Sequence, residues 1–199
     1  MIIPARDEEA TIEAIVAETL RTVPGVEVIV VDDGSTDGTA KAAEAAGARV
    51  LAHPFASGNG AALKSGIRAV KRPYLVLMDA DGQHAPVEIP RLLAALSEVD
   101  MVVGARPEWA HASLLRSLGN RALARVAGWL SGRPIPDLTS GFRALRADYA
   151  RACLPLMPQG YSSPTTLTMA LLERGAFVSF LRLERAGERR GGRSRISLG

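Results

Sequence analysis

From residue 1 to residue 104, short apolar runs alternate with stretches whose apolar positions recur at helical spacing. Met1-Ile2-Ile3 closes a first strand, and Ile12, Ile15, Val16 and Leu20 then share one helical face. Val26 to Val31 is a β-branched run, residues 36–46 return to helix before Gly47, and the cycle repeats with Arg49 to Ala52 and a helix from about Asn59 to Arg72. The apolar run Tyr74 to Leu77 leads into a strand ending at Met78, followed by a helix over Pro86 to Leu96 and a strand over Met101 to Gly104. Strands alternating with helices in this order build a parallel sheet with helices on both faces. The predicted fold is therefore α/β, with a Rossmann-like, mostly parallel central sheet.

Beyond Gly104 the rhythm lengthens to one helical stretch over about Leu114 to Leu130 and a loop rich in Pro and Gly from Gly132 to Gly141. No linker interrupts the chain, so residues 1–199 are expected to form one domain, with 1–104 as a nucleotide-binding half and 105–199 shaping a second substrate's site. At 47% hydrophobic residues, 199 residues bury one sizeable core. No run nears the roughly 20 apolar residues of a membrane span, and no signal-peptide layout opens the chain, so a cytoplasmic protein is expected. Cys153, the single cysteine, excludes an internal disulfide and reads as core packing. Net charge is +3, but six arginines fall between Arg182 and Arg195 against Glu184 and Glu188, either a solvated terminus or a surface for an anion. Aromatic residues do not interleave with that run, so nucleic acid is not an expected partner. Oligomeric state is left open.

Ligands of open α/β sheets bind beyond the carboxyl ends of the strands, and the loops that follow the first four strands are markedly polar. They read Pro4-Ala5-Arg6-Asp7-Glu8-Glu9, Asp32-Asp33-Gly34-Ser35-Thr36-Asp37-Gly38-Thr39, Gly58-Asn59-Gly60 and Asp79-Ala80-Asp81. Asp79 and Asp81 are hard oxygen ligands suited to Mg²⁺ or Mn²⁺, and Gln83 and His84 extend the polar run. A D-x-D triplet beside Gly82 also makes an ordinary turn. Asp32 and Asp33 are placed to accept hydrogen bonds from a base or ribose, while Ser35, Thr36 or Asp37 caps a helix. Gly58 and Asn59 open a helix whose N–H groups could meet a phosphate. His53 and His84 read as ordinary loop residues, and Trp109 and Trp129 as core or rim packing. The glycine pair lacks the third glycine of a dinucleotide fingerprint, which argues against an oxidoreductase.

Taken together, IPARDEE, VDDGSTDGT, GNGAALKSG, MDADGQH and DLTSGFRA resemble family 2 glycosyltransferases of the GT-A fold, in particular the dolichyl- or polyprenyl-phosphate mannosyl- and glucosyltransferase branch. The resemblance implies inverting, metal-dependent transfer of a sugar from a GDP-mannose or UDP-glucose type donor to a polyprenyl or dolichyl phosphate, at the inner face of a membrane. It matches Pro4, Ala5 and Glu8 to a donor loop and Asp32 to base recognition, with Asp33, Gly58, Asn59 and Asp79 on the same donor side. It matches Asp79, Asp81 and Gln83 to the metal. Asp137, Ser140, Gly141, Phe142 and Arg143 match an acceptor-side motif, with Arg143 near the acceptor phosphate and Arg116 a second contact. Arg190, Ser194 and Arg195 resemble the basic ending that closes over phosphates.

Asp81, Asp137 and Arg143 are the expected catalytic residues. An anionic phosphate attacks without a strong base; were Asp137 instead a general base, the acceptor would be a hydroxyl. The alternatives are therefore a transferase acting on a soluble hydroxyl acceptor and a nucleotide-sugar-binding module without turnover.

Overall fold

The computed structural model describes residues 1–106, 114–160 and 162–185. Seven strands form one sheet: β1 (Ile2–Ala5), β2 (Ile29–Asp32), β3 (Arg49–Ala52), β4 (Tyr74–Leu77), β5 (Met101–Ala105), β6 (Arg143–Arg146) and β7 (Val178–Arg182). Their order is β3-β2-β1-β4-β6-β5-β7, and every pairing is parallel except those of β6 with β4 and β5.

Successive side chains of a strand point to opposite faces, and here both faces are covered. Ile3, Val30, Val76 and Val102 pack on one side with Ile12, Ile15 and Val16 of α1 (Glu9–Thr22), Ala43 of α2 (Thr39–Ala45), and Ile89 and Leu92 of α4 (Ile89–Ala95). Ile2, Ile29, Val31, Leu75, Leu77, Met101 and Val103 pack on the other side. Their partners are Leu63 and Ile67 of α3 (Asn59–Ala69), Ala150 and Cys153 of α6 (Ala147–Cys153), and Leu167 and Leu171 of α7 (Ser163–Glu173). Burial on both sides explains why the strands read as unbroken apolar runs. A third, smaller cluster joins Ala124 and Ala127 of α5 (Leu114–Ser131) to Ile135, Leu138, Met169, Leu172 and Phe180.

Several boundaries depart from the sequence reading. β2 starts at Ile29 rather than Val26, because β1 and β3 supply ladder partners only from Ile2 and Arg49 onward. α2 starts at Thr39 rather than residue 36: the Thr36 and Gly38 N–H groups bond to the Asp7 and Glu9 carboxylates instead of opening a helix. α3 ends at Ala69, short of Arg72, and Arg151 takes the Val70 carbonyl at 2.6 Å. Pro86–Glu88 is a 3₁₀ turn that precedes α4.

The antiparallel β6 positions the site. It starts where β4 and β5 end, with Arg143 paired to both Leu77 and Val103. The loop that enters β6 therefore arrives at the same edge of the sheet as the loops that leave β4 and β5.

Candidate active site

The first two strand-end loops lock onto each other. Asp7, at a positive φ of 53°, accepts from Thr36 N–H at 2.8 Å, and its own N–H donates to Ser35 Oγ at 2.9 Å. Glu8 N–H donates to Thr39 Oγ1, also at 2.8 Å. In the first turn of α1, Thr11 Oγ1 donates to the Ala80 carbonyl at 2.8 Å. The donor-side loop thereby grips the Asp79-Ala80-Asp81 turn itself. Pro4 and Ala5 are buried at the end of β1, and Asp32 Oδ1 accepts from both the N–H and the hydroxyl of Ser35. No side-chain bond caps α2 at Gly38; Asp37 instead accepts from the N–H of Thr39.

Two donor-side expectations change. Asp33 is engaged by the loop that follows β3: it accepts from the N–H groups of Ser57 and Gly58, each at 2.8 Å, and from His53 Nδ1 at 2.9 Å. Burial pushes its pKa up, but these donors outweigh burial and hold it below the usual value. Asp33 is a staple for the loop before α3, with His53 bridging on to Ser65.

The helix start at Gly58 and Asn59 is likewise occupied. Ala61 N–H donates to the Gln159 carbonyl at 3.2 Å, and a Cβ on Gly58 would lie 2.5 Å from that same oxygen. With φ at +102°, Gly58 answers to the backbone of residues 159–160 packed over it.

Asp79 stands at the centre. Burial raises its pKa, but the neighbouring His84 and the charges of Arg106 and Arg143 prevail, so the carboxyl is held below the ordinary range and ionised at neutral pH. Its Oδ2 lies 3.6 Å from His84 Nε2. Gly141 runs directly against it: a Cβ there would sit 2.2 Å from Asp79 Oδ2. Asp81 Oδ1 accepts from Gln83 N–H at 3.0 Å. His84 is not an ordinary loop residue. It is 3% exposed, stacks on Phe142 with ring centroids 5.2 Å apart, and its Nδ1 is buried with no hydrogen-bond partner among the described residues.

Asp137 and Arg143 do not take the places expected of them. Asp137 Oδ2 accepts from Arg106 Nε at 2.9 Å and Arg106 N–H at 3.2 Å. Its Oδ1 accepts from Arg106 Nη2 and from the N–H groups of Thr139 and Ser140 at 3.1–3.2 Å. Burial raises its pKa, yet Arg106 and these backbone donors bring it below the usual value. A carboxylate so engaged is a poor proton acceptor. Arg143 is fully buried and donates to the carbonyls of Ser140 and Pro164 and to Thr168 Oγ1. Burial draws its pKa down to about 10, which still leaves it protonated at neutral pH. It braces the motif from behind and adds positive potential at Asp79. Ser140, also fully buried, donates to the Gly104 carbonyl at 2.7 Å, tying the loop to β5.

Arg106 is the residue the sequence reading missed. It directly follows β5, bonds Asp137 and Thr139 Oγ1, and senses the charges of Asp79 and Asp81. The strand-end rule that collected the first four loops would have found it if applied to the fifth strand. The backbone of Arg116 lies in α5, but its side chain lies outside the described residues, as do Arg190, Ser194 and Arg195.

Comparison with known proteins follows the same lines. The family model described as "Glycosyl transferase family 2" matches residues 1–153. The chain is 36% identical over 166 residues to the undecaprenyl-phosphate mannosyltransferase of Micrococcus luteus, covering 76% of this chain and 67% of that one. It is 34% identical over 165 residues to the polyprenol monophosphomannose synthase of Mycolicibacterium smegmatis, covering 74% and 61% respectively. With the glycosyltransferase AglJ of Haloferax volcanii included, the chain spans 58% to 67% of the length of these relatives.

Among solved structures, glucosyl-3-phosphoglycerate synthase from Mycobacterium tuberculosis in complex with phosphoglyceric acid superposes with a TM-score of 0.77. Identity is 25%, over 96% of this chain and 71% of that one. The same enzyme with Mn²⁺, uridine diphosphate and glucosyl-3-phosphoglycerate gives a TM-score of 0.74 at 26% identity, with the same coverage.

Proposed function

The chain belongs to glycosyl transferase family 2, with the GT-A fold, and from that premise we propose that it transfers a sugar from a nucleoside diphosphate to a polyprenyl phosphate at a membrane surface, with inversion. One observation carries the choice of acceptor. Asp137, the carboxylate at the acceptor side that would serve as a general base for a hydroxyl, has both oxygens engaged by Arg106 and by backbone N–H groups. A phosphate oxygen brings its own negative charge and needs no such base. The relatives named for polyprenyl-phosphate acceptors support the same choice.

In the proposed reaction an oxygen of the acceptor phosphate attacks the anomeric carbon as the bond from that carbon to the donor's β-phosphate oxygen breaks. The nucleoside diphosphate leaves with the bonding electron pair. Asp32, Glu8 and the ends of β1 and β2 hold the nucleoside, and Arg106 offers a cation beside the diphosphate. Asp137 and Arg143 act as positioning residues: one orients Arg106, the other braces Ser140 and Gly141 against Asp79. Arg116, Arg190, Ser194 and Arg195 are assigned to the acceptor phosphate by their place in the family's motifs.

Asp79, Asp81 and Gln83 would hold Mg²⁺ or Mn²⁺. The ionised state of Asp79 and the all-oxygen donor set fit such an ion, which takes one or two carboxylates and completes its shell with substrate phosphates and water. When bound, the ion supplies charge neutralisation for the departing diphosphate. The solved relatives with Mn²⁺ or Mg²⁺ and uridine diphosphate support this assignment.

The fold likeness favours one second reading, a soluble phosphorylated acceptor whose hydroxyl attacks the anomeric carbon. A single panel separates them. GDP-mannose and UDP-glucose, each with Mg²⁺ or Mn²⁺, are offered against a polyprenyl phosphate, the matching polyprenol, free sugars and phosphoglyceric acid. Product on the polyprenyl phosphate alone is expected; preference for the polyprenol or for phosphoglyceric acid would overturn the reading.

A further inference from the structure

At the carboxyl ends of the strands, Ala5, Asp32 and Ala52 stand side by side as register partners of β1, β2 and β3. Ser35 takes Asp32 Oδ1, while Oδ2 accepts no hydrogen bond among the described residues. The chain that leaves β3 folds back beside this row. His53 N–H donates to the Asp32 carbonyl at 2.8 Å, and Asp33 takes the N–H groups of Ser57 and Gly58. Between those anchors the backbone of Phe55 and Ala56 presses on Gly34, where a Cβ would fall 2.7 Å from the Phe55 carbonyl carbon and from Ala56 N. Gly34 has a φ of +67°, so the turn after Asp32 and the loop that carries Phe55 are shaped to each other.

Phe55, in the middle of a loop held at both ends, is 69% exposed. One exposed apolar side chain is ordinary on a protein surface; its place in the fold distinguishes this one. Of the other exposed aromatic residues described, Tyr74 opens β4 and Phe177 precedes β7, both at the opposite edge of the sheet. Trp129 lies on α5, which packs on α7 and β7 at the far end of the strand order from β3. Among them only Phe55 stands beside Asp32.

A nucleobase brings two things to such a place, N–H donors on its edge for the carboxylate and a flat face for the ring. Stacking on an aromatic side chain accepts any base, and its strength follows the face that is covered. Guanine has the larger face, and its N1–H and N2 amino group lie together on one edge. Uracil joined to ribose offers a carboxylate a single N–H.

We propose that Phe55 stacks on the base of the nucleoside diphosphate donor whose edge Asp32 receives, and that this contact favours guanine over uracil. The proposal rests on the nucleotide-sugar reading and adds to it the residue that grips the base.

Isothermal titration calorimetry on the full chain, with Mn²⁺ present, measures binding of GDP, UDP and inorganic pyrophosphate. The parent is expected to bind GDP more tightly than UDP. Phe55→Ala should weaken GDP about tenfold or more and UDP by less, with pyrophosphate unchanged. Phe55→Tyr keeps the ring face and should bind GDP like the parent. Because the side chain is exposed, thermal melts of both variants should match the parent.

Tighter binding of UDP than GDP by the parent, GDP binding that Phe55→Ala leaves intact, or equal losses for GDP and pyrophosphate would overturn the proposal. Phe55-dependent GDP binding without transfer to any acceptor would uphold the stacking contact and remove the transferase reading. Transfer by Phe55→Ala at the parent's donor KM would do the reverse.

Discussion

Arg106 and Asp137 form the pair on which the second half of the site depends, with side chains only 17% and 6% exposed. Removing one member of such a pair strands the other, at a cost of about 3 kcal/mol or more. Asp137→Asn should therefore lower stability at neutral pH by roughly that amount in urea melts. The pH dependence has a definite sign. The folded-state pKa of Asp137 lies below that of an aspartate in the unfolded chain, so its contribution is fully present above the unfolded value and is lost as pH falls through the lower folded value. The Asn variant should lose stability less steeply than the parent on acidification through this range. A parallel acid limb in the two proteins would show that Asp137 does not carry the linkage. Asp81→Asn addresses the chemistry instead: turnover should fall by about a hundredfold or more with the melt unchanged, as expected for loss of a ligand that acts chiefly in the transition state. Near-normal turnover would remove Asp81 from the metal site.

At the scale of elements, the informative contact lies between the start of α3 and the segment that precedes α7. Gly58, at φ +102°, has Gln159 O where a Cβ would fall at 2.5 Å, and its N–H is held by Asp33. Gly58→Ala should cost about 2 kcal/mol or more, from left-handed strain together with a clash against backbone that cannot rotate away. The loss should appear in thermal melts before any change in donor affinity, and a variant that melts like the parent while losing donor binding would return this loop to the phosphate. Glycines and a helix start in one short segment are what a phosphate cradle and a close backbone packing share. Nothing local distinguishes them, because the occupant comes from residues about a hundred positions later in the chain.

For the whole molecule, the proposal predicts a coupled ligand response. GDP-mannose or UDP-glucose with Mn²⁺ should raise the melting temperature, EDTA should abolish the rise, and Asp79→Asn should abolish it too, measured against that variant's own ligand-free melt. A rise that survives both would place the donor elsewhere. Much of this arrangement was legible in the chain itself. The alternation of β-branched runs with helical periodicity determined a mostly parallel sheet covered on both faces. The rule that ligands gather at the strand ends then put Asp79 and Asp81 on the working edge, because strand polarity alone decides on which edge each loop emerges. Only tertiary structure decided what meets them there. β6 runs antiparallel and delivers Ser140, Gly141 and Arg143 against Asp79, while the end of β5 supplies Arg106. Burial then turned Asp33, Asp137 and Arg143 from candidate ligand contacts into the frame of the site, and left Trp129 outside it. A side chain's type gives the hydrogen bonds it can make; which partner takes them depends on residues distant in sequence that the sheet order brings near.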